Sequence, residues 1–115
     1  MTKYMVLYRS SIPASEQMAA ASSSPKMAQA GMQLWMDWAG RVGSAMADMG
    51  TPLEPVAVLD SAGGSATAGS PFIGGFSVLE ADSVDAVKDL LDNHPHFQAP
   101  GASIEILEYL PPPGM

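Results

Sequence analysis

The sequence predicts an α+β fold in the order β-α-β-β-α-β, and three observations carry that prediction. The chain opens on a short apolar run rich in strand formers, Tyr4 to Tyr8. Its longest periodic segment, residues 26–49, repeats apolar residues at three- and four-residue steps, the spacing of one helix face. The second half then runs strand, helix, strand: Phe72 to Glu80, Val84 to Asp92 and Ser103 to Leu110.

Each element has a local cause. Tyr4 to Tyr8 reads as a buried strand, closed by Arg9. Residues 10–25 are rich in Ser, Ala and Pro and read as a long loop with one helical turn from Glu16 to Ala21. The helix over 26–49 starts well, with Ser24 to cap it and Pro25 at the first helical position. Gly50 and Pro52 stop it. At 1.5 Å per residue it would run ~36 Å, enough to cross a four-stranded sheet.

Leu53 to Ser61 alternates as a second strand, with Pro55 at its start or edge. Ala62 to Pro71 is a Gly- and Ser-rich hairpin connection. Gly74-Gly75 inside the third strand marks a bulge or a close backbone approach. Asp82 or Ser83 caps the second helix, whose Val84, Val87, Leu90 and Leu91 face inward. Asn93-His94-Pro95-His96 breaks that helix, and Pro100-Gly101 turns the chain into the last strand. Residues 111–115 form a Pro-rich tail that cannot extend a ladder.

Two right-handed crossovers turn this order into an antiparallel sheet with two helices on one face. The other face needs a cover, and 115 residues supply no third layer. A second copy of the chain is the expected cover, through a twofold interface. The length fits a single domain, residues 1–115, with one core and one modest pocket.

Composition excludes several classes of function. The net charge is −7, and the five basic residues are scattered, so neither a nucleic-acid backbone nor an anionic membrane surface is an expected partner. There is no cysteine, which removes disulfides, thiol nucleophiles and thiolate metal sites. No phosphate-cradling Gly-rich motif appears, and no cofactor is expected. The opening apolar run is too short for a signal peptide core, so the expected location is cytoplasmic.

Ser70-Pro71-Phe72-Ile73-Gly74-Gly75-Phe76-Ser77-Val78-Leu79-Glu80-Ala81 resembles the DGPF-type segment of the YCII-related domain family. Lys3 to Leu7, Asp82 to Val87, His94-Pro95-His96 and Gly101 to Glu108 are similar to that family's opening strand, later helix and last strand. The resemblance covers both ends of the chain better than the long middle helix. It implies a ferredoxin-like domain that forms a dimeric α+β barrel. It also implies, for some members, a His/Asp pair in a cleft with the histidine on the first helix. In one relative it implies dechlorination of a hydroxylated aromatic. This chain departs from that pattern in two places. Its first helix has no histidine from Met32 to Met49, and Gly69-Ser70-Pro71-Phe72 stands where the family has Asp-Gly-Pro-Phe.

Any site must therefore be built from other residues. His94 and His96, with Asp92 to orient one of them, are the candidate acid–base or ligand groups. The other reading is a helix-end cap for His94 and a solvated imidazole for His96. As a metal signal His-x-His needs a third ligand that no spacing identifies, so no metal site is assigned. Trp35 and Trp38, with Met32 and Phe76, are candidates to line an apolar ligand pocket. The tryptophans can also be plain core or dimer interface. Three functional readings stay open. One is a homodimer that binds a small apolar or aromatic molecule. The second is a cofactor-independent lyase, isomerase or monooxygenase using His94 or His96, an analogy at the level of the fold. The third is a structural or interaction protein.

Overall fold

The computed structural model describes residues 1–66 and 69–114. Thr67 and Ala68 of the predicted hairpin connection, and Met115 of the tail, lie outside the described residues. The elements are β1 (Thr2–Ser10), α1 (Ala14–Ser22), α2 (Pro25–Val42), β2 (Met46–Asp48), β3 (Val58–Leu59), β4 (Ser65–Ala66), β5 (Phe72–Ala81), α3 (Val84–Leu90) and β6 (Ser103–Glu108). Short 3-10 turns occupy Gly43–Ala45 and Pro95–Gln98. Four strands form one antiparallel sheet in the order β2-β5-β1-β6. Both central strands are thus flanked by elements distant in sequence, the ferredoxin-like arrangement expected of two interlocked crossovers.

Register sorts the side chains between the two faces of the sheet. Val6 lies opposite Ser77 and Ile106, and Tyr8 lies opposite Gly75 and Ile104. Tyr4, Val6, Tyr8 and Leu79 on this face form one core with Trp38 and Val42 of α2 and with Val87 and Leu91 at α3. The opposite face carries Met5, Leu7, Phe76, Val78 and Leu107, because residues one position apart point to opposite sides. Helices α2 and α3 leave that face uncovered. The Gly74-Gly75 bulge is present: Tyr8 pairs with Gly75 and Arg9 with Ile73, so Gly74 is the extra residue.

Three sequence expectations need correction. The long helix ends at Val42, seven residues early, because Gly43 takes φ 60°. The second sheet strand is Met46–Asp48, pairing with Val78 and Leu79, and not Leu53 to Ser61. Gly50, at φ 82°, turns the chain there. Pro52 and Leu53 still run beside β5 through a bridge to Gly75 and a Leu53 N–H bond to Gly74 O. The chain then leaves as a small separate hairpin of β3 and β4. Finally, the 10–25 loop holds a nine-residue helix, α1, not one turn. Its Ala, Glu, Gln and Met are strong helix formers. Gln17 Nε2 ties it down by donating to Ser10 Oγ (2.7 Å) and Ile12 O (2.8 Å).

Candidate functional site

The site grows from the sharp turn after α3. Asn93 takes φ 55°, a left-handed conformation that Asn tolerates better than most residues. The His94 N–H then bonds back to Leu91 O at 3.1 Å, and the chain reverses under α2. Pro95 starts the 3-10 turn with its φ pre-set. His94 caps that turn: its Nδ1 accepts the His96 N–H at 2.9 Å.

This geometry drives His94 into the interior, where it is 2% exposed. Three aromatic rings surround it. Trp38 lies 4.2 Å away between ring centres, Trp35 4.6 Å and Tyr8 4.9 Å, with both tryptophans edge-on to the imidazole. The box is held at its outer atoms. Trp38 Nε1 donates to Leu90 O at 2.8 Å. The Tyr8 hydroxyl donates to Ser77 Oγ at 2.8 Å, and Ser77 Oγ in turn donates to Met49 O at 2.7 Å. Burial pushes the Tyr8 phenol up to about 12, against the opposing pull of the Ser77 bond.

Burial also pushes the His94 imidazole down to about 3, helped by the nearby His96 and Arg41 charges. His94 is therefore neutral at pH 7. Its Nε2 is buried and has no hydrogen-bond partner among the described residues. His96 does a different job. Its Nε2 donates to Arg9 O (2.8 Å) and Ser103 O (3.1 Å), two carbonyls at paired positions of β1 and β6. It pins the 3-10 turn across the end of the sheet.

His94 also forms part of the wall of a cleft of about 820 Å³. Leu91, Phe97, Ile104 and Ile106 supply its apolar surface. Lys88, Asp92, Asn93 and Gln98 supply its polar edge. The cleft thus lies between the end of α3, the second 3-10 turn and the inward face of β6.

The structure brings together some predicted site residues and separates others. His94, Trp35 and Trp38 meet in one cluster. The expectation that His96 is solvated is overturned, because the ring spans two strands and is buried. Asp92 is exposed and lines the cleft, and its bond within this region is through its backbone carbonyl, which accepts from Arg41. Met32 is 60% exposed on the outer side of α2. Phe76 stands opposite Leu7 on the uncovered sheet face, away from the tryptophans. Among the site's residues, Tyr8, Phe97, Ile104 and Ile106 escaped the sequence reading. Strand alternation could have flagged Tyr8, since it shares the inward side with Val6, and a buried Tyr needs a partner for its hydroxyl.

Among the described residues no three His, Asp or Glu side chains converge to hold an ion, and no helix is long and apolar enough to cross a membrane. No protein-family model matches the chain. No curated protein matches it. Among solved structures, the chain is similar to 5-chloro-2-hydroxyhydroquinone dehydrochlorinase (TftG) from Burkholderia phenoliruptrix AC1100 in complex with 2,5-dihydroxybenzoquinone. The two share 18% identity over 93% of each chain, with a TM-score of 0.47. At that distance no residue role is carried across.

Proposed function

We propose that this protein is a YCII-related homodimer that binds a small apolar or aromatic molecule in the cleft beside His94. One observation carries the reading. A buried imidazole, ringed by Tyr8, Trp35 and Trp38, forms part of the wall of a cleft that has an apolar side of Leu91, Phe97, Ile104 and Ile106 and a polar edge; its Nε2 is buried and has no partner among the described residues. Leaving a polar atom buried and unpaired costs about 1–3 kcal/mol. An apolar wall with a few polar groups at its edge is how small-molecule pockets are usually lined.

Acid–base chemistry by the two histidines draws no support from this geometry. His94 stays neutral down to about pH 3, and His96 spends its Nε2 hydrogen on backbone carbonyls. The homodimer draws its support from the uncovered sheet face. Met5, Leu7, Phe76 and Leu107 form an apolar centre there, with Lys3, Glu80 and Glu105 around it. Apolar centre and charged rim is the usual anatomy of a protein interface.

Thermal-shift screening against small aromatic and acyl compounds tests the binding reading. A ligand at a hundred times its Kd stabilises the fold by about 2.7 kcal/mol, which gives a clear rise in Tm. That rise is expected to vanish in Phe97→Asp, which puts a charge on the cleft wall. A screen in which no compound moves Tm contradicts the reading.

A further inference from the structure

A free edge of the sheet runs along the cleft. Strand β6 pairs only with β1, so its other side ends the sheet. One bond sets the phase of its ladder. The Tyr109 N–H donates to Lys3 O at 2.9 Å, and continuing the Tyr4–Glu108 register by one residue puts those two directly opposite. In an antiparallel ladder, opposite residues exchange both bonds at every second position. Ser103, Glu105 and Leu107 therefore spend their backbone groups on β1, while Ile104, Ile106 and Glu108 turn theirs outward. Those outward N–H and C=O groups meet no partner among the described residues. Side chains alternate as well. Ile104 and Ile106 lie opposite Tyr8 and Val6, on the helix side of the sheet, and both line the cleft. Glu108, opposite Tyr4, stands on that same side.

We propose that the β6 edge and the cleft together take an extended basic peptide, added antiparallel to β6, with an aromatic side chain in the cleft opposite Ile106 and a Lys or Arg two residues before it, opposite Glu108. This rests on the cleft receiving an apolar or aromatic group and adds the carrier of that group. An open edge with outward N–H and C=O groups is matched by another extended backbone, and a pocket beside the edge selects its side chains. The apolar wall of Leu91, Phe97, Ile104 and Ile106 is the seat for the aromatic ring. Charge selects the rest. Arg9 holds Glu105 at 3.1 Å, whereas Glu108 has no ion-pair partner among the described residues. Asp92 adds a second carboxylate at the cleft, and the chain carries a net charge of −7. A basic strand is drawn to this edge and an acidic one is repelled. A second copy of β6 is the poorer occupant, because it would bring the Glu105 and Glu108 of both chains into one ribbon.

The probe is the peptide acetyl-Thr-Thr-Lys-Thr-Phe-Thr-Thr-amide, titrated into the full chain by NMR and calorimetry beside acetophenone as a small aromatic probe of the cleft. Bound antiparallel, its Phe and Lys amides face β6 and the Thr amide between them faces solvent. N-methylation at Phe should weaken binding on the order of tenfold, and N-methylation at that Thr should leave it unchanged. The Ile106 and Glu108 amides should gain protection from exchange, and the peptide should displace acetophenone. Glu108→Lys should weaken the parent peptide and favour the version with Glu in place of Lys. Equal binding of the two N-methyl peptides, or tighter binding of the Glu peptide to wild type, overturns the proposal. So does concentration-dependent protection of Ile106 and Glu108 in the peptide-free chain, which would mean that a second copy holds the edge. Acetophenone binding in the cleft with no peptide bound overturns the edge assignment and leaves the cleft reading standing. Failure of both probes overturns both. The N-methyl pair decides on wild type alone, even where the Glu108 variant does not fold.

Discussion

His94 is a buried base held neutral by its surroundings, and that has a consequence for stability. Its folded-state pKa of about 3 lies below the ordinary value of 6.5 that the unfolded chain recovers. Between those two values the unfolded chain binds a proton that the folded chain refuses. Stability contributed by the neutral ring is therefore complete above pH 6.5 and is lost as pH falls toward 3. The loss approaches about 1.4 kcal/mol per pH unit inside the window. Urea unfolding of wild type from pH 7.5 to 4 should show this slope. His94→Asn, which has no proton to refuse, should show a shallower one. Parallel slopes for the two proteins would contradict the neutral, desolvated imidazole. This residue was legible only in part. The His-Pro-His run stood out by residue type, but nothing in its spacing shows that Asn93 turns left-handed and sends His94 inward while His96 spans two strands.

At the scale of elements, the decisive positions are the breaks. Residues 26–49 keep a helical apolar period past the true end of α2, because Ala45, Met46 and Met49 suit either a helix face or a sheet edge. Periodicity does not distinguish the two over so short a stretch. Backbone conformation does: Gly43 at φ 60° ends the helix, and Gly50 at φ 82° releases β2 from the sheet. Gly50 is also sterically committed, since a Cβ there would overlap the Phe76 carbonyl. Gly50→Ala should destabilise the fold by about 2–3 kcal/mol, combining positive-φ strain with backbone displacement beside β5. Denaturant midpoints check this, with Gly31→Ala as the comparison. Gly31 is helical, and its missing Cβ would meet no atom within 4 Å, so that change should be stabilising by up to about 1 kcal/mol. The opening strand, the bulged β5, the Ser83-capped α3 and β6 were all legible, because each combines alternation or a cap with a clear stop.

For the whole molecule, the topology followed from the order of elements, and the open sheet face followed from the topology. Met5, Leu7, Phe76 and Leu107 now give that face named apolar residues. On the proposed self-association, the chain is expected to sediment at twice its 12.0 kDa mass at micromolar concentration. Leu7→Glu puts a charge directly between Phe76 and Glu105 and should convert the dimer to a monomer that keeps its circular dichroism. A wild-type monomer would remove the self-association part of the account and leave the cleft untouched, because the cleft lies on the helix side of the sheet. The cleft itself was not legible in the sequence. It needs the end of α3, the 3-10 turn and β6 at once, and the turn is held against the sheet by the His96 bridge to Arg9 and Ser103.

The cleft beside His94, and not the tryptophan helix or the open sheet face, is the proposed seat of a small molecule. Mapping amide shifts of the 15N-labelled chain during titration with acetophenone tests it most directly. Perturbations are expected to concentrate at Leu91, His94, Phe97, Ile104 and Ile106. Perturbations centred on Leu7, Phe76 and Leu107, or none at saturating probe, would contradict it.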